Sequence, residues 1–192
     1  MRTFIVNTEA AAPLITTADA KTFLKVDTSA DDTVIDQLVS AATKSAEEYT
    51  NRFFIHTVIT QYCTNFKDLE ELYKSPVDSV AHVKYYDTSN ALQTLAATEY
   101  TLINQIQPSK IVEAVGKNLP DVEDRLDAVE CKYTVGYGTA STDVPAPIIQ
   151  AVYLTIGHWY QNRQAVIVGR IATELPMSAK YLLDQYKVQV CR

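Results

Sequence analysis

The stretch from Tyr133 to Ala165, YTVGYGTASTDVPAPIIQAVYLTIGHWYQNRQA, constrains the chain more than any other. It reads as the end of a strand, a glycine-containing turn, a capped start and a long helix. Ile148, Val152, Thr155 and Trp159 fall on one helical stripe, and Ile149, Tyr153, Ile156 and Tyr160 on the next. Two adjoining stripes make an apolar face broad enough to be covered on more than one side. Asp143 suits an N-cap, and Pro145 and Pro147 suit a first turn, where amide hydrogens have no helical partner. Such a helix is a packing element, so the chain needs other helices to surround it.

Those helices are legible on either side. Thr16 or Thr17 caps a short helix, ADAKTFLKV, with Ala20, Phe23 and Leu24 on a shared face. Ser29 and Asp32 have capping-box spacing, and from Asp31 to Arg52 the helical period places Ile35, Leu38, Ala42, Ala46 and Tyr49 along one side. Asp31, Asp32 and Asp36 stand near the positive end of that helix's dipole, and read as first-turn acids rather than metal ligands. Pro176 opens a last helix through Tyr186, with Ala179, Leu182, Leu183 and Tyr186 on one side.

Between the helices the period changes to two. Thr57–Phe66 sets Val58, Thr60, Tyr62, Thr64 and Phe66 on one face, and β-branched and aromatic residues dominate. Ser79–Tyr86, the ALQTL that follows the turn Asp87–Asn90, Tyr100–Ile103, Lys110–Val112 and Val129–Val135 are further strands. Glu113–Ala128 is acidic and poorly patterned, an exposed loop. The expected fold is therefore α+β. A mainly α-helical body (residues 16–52 and 140–187) carries a small antiparallel β insert (53–139), an extended N-terminal arm (1–15) and a C-terminal tail (188–192).

Composition narrows the function. A formal charge of −6 argues against a protein whose main affinity is for phosphate backbones. The three cysteines, Cys63, Cys131 and Cys191, are far apart with no CxxC pair, so neither a disulfide framework nor a zinc site is expected, and a reducing compartment suits them. The N-terminal apolar tract is too short and interrupted for a signal peptide or a membrane span. Thr134–Gly138, TVGYG, matches the potassium-channel filter sequence, but the helix after it carries Gln150, His158, Gln161, Asn162 and Arg163. A strand ending in a glycine turn explains it. His56, His82 and His158 have no neighbouring ligand at metal spacing. A pairing of Cys63 or Cys131 with His158 has no supporting motif, and no phosphate-cradling loop or serine elbow is present. No enzyme, cofactor or metal is expected.

One segment asks for a partner. Ala165–Pro176 joins the last two helices and holds Val166, Ile167, Val168 and Ile171 around Gly169 and Arg170. Apolar side chains at this density need covering, either by their own core or by a neighbouring copy or another protein. Lys187, Val188, Val190 and Arg192 in the tail are weaker candidates for the same role.

In order along the chain, TTADAKTFLKVD, DDTVIDQLVSAATKSAEEYTNR, SPVDSV, VGYG with DVPAPIIQAVYLTIGHWYQNR, and a closing LP with LLDQYKV resemble the head-tail connector (head-completion adaptor) family of tailed bacteriophages and gene transfer agents. The resemblance covers both ends and the boundaries of the middle; residues 101–127 match least. It implies a virion protein of the neck, made in the host cytoplasm, that forms a ring of about twelve copies by head-to-tail contacts. The ring would bind the portal protein on one side and a stopper or tail-completion protein on the other. DNA would pass through the channel without sequence-specific binding, and an acidic wall fits that task because few counterions are released on contact. The resemblance also implies that Lys187–Arg192 dock on the portal and that the segment around Gly169 meets neighbours. The family carries no catalytic or cofactor residues. Two other readings stand beside it: a small-molecule-binding or enzymatic α+β domain, and a phage assembly factor absent from the particle.

Overall fold

Thr16 opens the first helix in the computed structural model, which describes residues 3–162 and 176–189. Its hydroxyl accepts the amide of Asp19 at 3.1 Å, the contact of an N-cap, and starts α1 (Thr17–Leu24). Lys25 in the left-handed conformation, φ 57°, ends it. The next helices are α2 (Asp32–Thr50), α3 (Ala146–Gln161) and α4 (Met177–Asp184). They fall in a unit made of residues 12–50 and 140–187, in which α3 packs against α1, α2 and α4.

Ile148, Ala151, Val152, Thr155 and Ile156 of α3 are buried, so the broad apolar face is covered, as its width requires. Small residues let the helices approach: Ala42 and Ala46 of α2 and Ala179 of α4 are buried beside Ile35, Val39 and Leu183. The buried stripe of α2 runs through Val39 and Thr50 rather than Leu38 and Tyr49. Thr50 satisfies its hydroxyl on the carbonyl of Ala46 at 2.8 Å, while Tyr49 turns its hydroxyl to the Asp184 carboxylate of α4. Pro145 rather than Asp143 stands at the N-cap of α3. Asp143 instead accepts the amide of Ala140 at 3.0 Å and closes the 3-10 turn Ser141–Asp143 ahead of the helix.

The second unit gathers residues 1–11, 51–139 and 188–192. Its strands are β1 (Thr3–Thr8), β2 (Thr57–Cys63), β3 (Val77–Tyr86), β4 (Leu92–Leu95), β5 (Tyr100–Ile103), β6 (Lys110–Glu113) and β7 (Val129–Val135). β1, β2, β7, β3 and β4, in that order, form one five-stranded sheet, and β5 with β6 forms a separate ribbon. All named pairings are antiparallel. A mainly α-helical description therefore does not hold. The β part is a full sheet with its own core, and it is not a simple insert, because its edge strand comes from the N-terminus. The extended arm is that edge strand: Ile5 pairs with Thr60 and Val6 with Ile59. A bulge between Val6 and Thr8 frees Asn7, whose side-chain oxygen accepts the Thr60 hydroxyl at 2.6 Å.

The face of β2 that turns to the core carries Thr57, Ile59, Gln61 and Cys63. Val58 and Tyr62, on the face picked out by their β-branched and aromatic character, are only half-buried. The sheet core joins Ile59, Cys63, Val77, Val83, Val129, Cys131, Tyr133 and Val135 to Phe66 and Leu69 of the 3-10 turn Phe66–Glu70.

Gly136, after β7, stands where a side chain would clash with backbone. Its φ is +125°, and a Cβ there would lie 2.6 Å from the carbonyl carbon of Ile55. That close approach permits Tyr137 N–H to reach the Phe54 carbonyl at 2.9 Å and His56 N–H the Gly138 carbonyl at 2.8 Å. TVGYG is thus a strand end sewn to the segment before β2.

Candidate interface surfaces

The groups with chemical potential lie where chemistry is suppressed. Cys63 and Cys131 are fully buried, and burial pushes the Cys131 thiol well above its ordinary value, with Cys63 and Glu130 adding to the effect. A thiol held neutral is a poor nucleophile, so Cys131 is ill suited to a Cys–His pair. Beside them, Tyr133 is fully buried, and desolvation raises its phenol well above 10.0. The Tyr133 hydroxyl lies 2.7 Å from Gln61 Oε1 and 3.0 Å from the Tyr73 carbonyl. Gln61 Oε1 also accepts the Tyr73 amide at 3.0 Å. Buried polar groups partnered in this way fix a register; here they fasten β2, β7 and the 71–73 segment together.

The histidines and acids are likewise occupied. His82 on β3 lies 3.0 Å from Glu130 on β7, His56 serves through its backbone amide, and His158 contacts Asn162 one turn on. Asp31 accepts the Tyr160 hydroxyl at 2.6 Å, Asp36 the Thr17 hydroxyl at 3.0 Å, and Asp32 pairs with Lys21 at 2.6 Å. The three first-turn acids tie helices to one another. Among the described residues no cluster of His, Cys, Asp and Glu is grouped to hold a metal ion, and no helix is long and apolar enough to cross a membrane.

Of the residues singled out as contacts, Val166, Ile167, Val168, Gly169, Arg170, Ile171, Val190 and Arg192 lie outside the described residues. Lys187 places its ammonium 4.5 Å from the centre of the Tyr49 ring, and Val188 is buried. Other apolar side chains stand free. Met177 and Tyr181, one turn apart on α4, are 84% and 72% exposed, and Leu126 and Leu92 are 68% and 50% exposed. Leu126 falls in the Glu113–Ala128 stretch read as exposed, but periodicity picked out none of Met177, Tyr181 and Leu92, because a face is called exposed only by contrast with a charged pattern.

Residues 119–128 do not behave as a plain exposed loop. Leu119 and Val122 pack on the sheet core. Glu123 N–H donates to the Tyr86 carbonyl at 3.0 Å, and Tyr86 N–H donates to the Ala128 carbonyl at 2.9 Å. Between these ties, Arg125 grips Asp127 with two parallel bonds of 2.7 and 2.8 Å. It also reaches Asn90 at 3.1 Å and lies 3.8 Å over the Tyr86 ring. The bidentate bond from Arg125 holds the Asp127 carboxyl below its ordinary value. The segment is a strap, clasped to the β3–β4 hairpin, with Leu126 projecting from it.

Residues 15–109 match the family model of phage gp6-like head-tail connector proteins. The chain carries the signature of the head-tail connector family. A search of curated proteins finds no match. Among solved structures, the fold resembles a chain in the neck of an empty gene transfer agent (GTA) particle computed with C6 symmetry. There the TM-score is 0.79 at 20% identity, over 99% of this chain and 97% of that one. A chain of the virion of the native GTA particle gives 0.79 at 20% identity, covering 98% and 97%. One from the native GTA neck computed with C12 symmetry gives 0.71 at 22%, with the same coverage. The α+β fold of this chain is thus shared over 98–99% of its length with chains from GTA particles, and a structural role as a neck connector is the one the family match and the fold both support.

Proposed function

We propose that this chain is the structural adaptor between the portal of a DNA-filled capsid and the stopper or tail of a phage or phage-like particle. In this reading it acts as a closed ring of about twelve copies. The observation that carries it is the family match over residues 15–109. The end-to-end likeness in fold to neck chains, two of them from particles computed with C6 and C12 symmetry, adds to it.

The physical character of the chain agrees. A ring needs two complementary patches on each copy, and the apolar segment Val166–Ile171 with Gly169 and Arg170 supplies candidate residues for one. Lys187, Val188, Val190 and Arg192 are assigned to docking on the portal. With Val188 buried in the free chain, that docking either uses the residues around it or draws the tail out. A net charge of −6 suits a wall past which DNA slides, since an acidic surface releases few counterions from it. The role is one of assembly, with the buried Cys131 and Tyr133 serving the core. Quantitative mass spectrometry of purified particles tests the placement: the chain should be present in constant ratio to the portal protein. Its absence from mature particles would leave it an assembly factor.

A further inference from the structure

The strap over residues 119–128 combines three properties that a solvated loop has no need of: it is fastened to the hairpin, it is acidic, and it holds a large apolar side chain outward. The fastening is the Arg125 clasp on Asp127, Asn90 and the Tyr86 ring, with backbone ties at Glu123 and Ala128. Asp121, Glu123, Asp124 and Asp127 flank Arg125 in the sequence, four carboxylates against one guanidinium, and Asp127 is the one it grips. In the adjoining turn, Asp87 is held below its ordinary value by bonds from Gln93, Ala91 and Ser89, so it too stays charged. Leu126, between Arg125 and Asp127, is 68% exposed. Leu92, 50% exposed, is the cross-strand partner of the same Tyr86 that Arg125 covers, which brings both leucines to one end of the hairpin.

We propose that this strap is a preformed docking knob for a neighbouring neck protein, one that offers an apolar socket rimmed with Lys and Arg. Leu126 would be the anchor, Leu92 its flank, and the carboxylates the complementary rim. An anchor already fixed in its bound position loses little conformational entropy on docking, and a central apolar residue ringed by charge is the anatomy of an interface focus. Charge decides the partner. Nucleic acid is repelled, and a second copy of a chain with net charge −6 is a poor match for an acidic tip. The proposal rests on the connector reading for where the partner is found, and beyond that reading it names the surface and its chemistry.

The test is isothermal titration of the full chain against purified portal protein and, separately, against the purified tail-side neck protein. Mass photometry of the chain alone accompanies it. Leu126→Ser is expected to weaken binding to one of the two by about tenfold, with Leu92→Ser weaker in effect. Arg125→Ala, which frees the strap and spares both leucines, should lower affinity too, and Arg125→Lys should not restore it, since a lysine cannot make the bidentate clasp. The Asp121→Asn, Asp124→Asn pair should flatten the dependence of affinity on salt. Unchanged binding of Leu126→Ser to both proteins overturns the knob and leaves the connector reading standing. A change in self-assembly with Leu126→Ser also overturns it, because the tip then touches a copy. Failure of the wild-type chain to bind either protein overturns the connector reading, and the knob with it. A thermal melt of each variant separates these results from misfolding, and Leu126→Lys is the second variant at the same position.

Discussion

At the scale of single residues, Gly136 and Tyr133 decide how β7 is held. Gly136 allows the backbone of Ile55 to come within van der Waals distance. Gly136→Ala should therefore lose about 3 kcal/mol in urea unfolding, from a positive φ and a steric clash together. Gly116 has φ +76° with nothing within 4 Å of its missing Cβ, so Gly116→Ala should cost only about 1 kcal/mol. Equal losses would show that the close approach to Ile55 carries no weight. Tyr133→Phe removes a hydroxyl between Gln61 and the Tyr73 carbonyl, and should cost about 1–2 kcal/mol. No change in the unfolding midpoint would mean that this polar cluster is idle. The sequence made the glycine turn visible through TVGYG, but the residue it serves, Ile55, lies some eighty positions back and left no local mark. Gln61 was hidden for the same reason. Its polar side chain argues for solvent, and partners mostly far along the chain, among them Tyr73 and Tyr133 at 12 and 72 positions away, make its burial tolerable.

At the scale of elements, helices were the more legible because their evidence is local. Thr16 as a cap, the apolar stripes of α3 and Pro176 before α4 all depend on neighbours within a turn or two. Strand positions were legible as well, with Tyr100–Ile103 and Val129–Val135 lying where their β-branched residues put them. What was not legible was pairing. TFIVNT has the composition of a strand, yet its partner β2 begins some fifty residues later, so it read as an arm. The strap was missed because its order comes from Arg125 and Tyr86, a contact with no periodicity. It has a pH signature. Asp127 titrates below its ordinary 3.8 in the folded chain, so its contribution is complete above that value and is lost as pH falls through the lower, folded one. The Leu126 methyl resonances should be sharp and fixed at neutral pH. They should move toward averaged values as pH falls below about 4, while core amides such as that of Tyr133 keep their protection. Loss of strap and core together at one pH would contradict a locally clasped segment.

At the scale of the whole molecule, the sequence spoke through order rather than chemistry. No fragment of the connector resemblance is decisive alone, but the succession of capped helix, long helix, strands, glycine turn and apolar helix survives where identity to solved neck chains is only 20–22%. The balance between helix and sheet was misjudged, since one strand comes from the N-terminus and the sheet core is built by contacts across residues 53–135. If the apolar excess of this chain serves assembly, the segment around Val168 is needed for it. The wild-type chain and Val168→Asp would each be mixed with purified portal and weighed by mass photometry. The wild type should add a closed ring of about twelve copies, and Val168→Asp should melt like the wild type but add none. A wild-type chain that stays monomeric in the presence of portal, or a Val168→Asp variant that unfolds on its own, would contradict it.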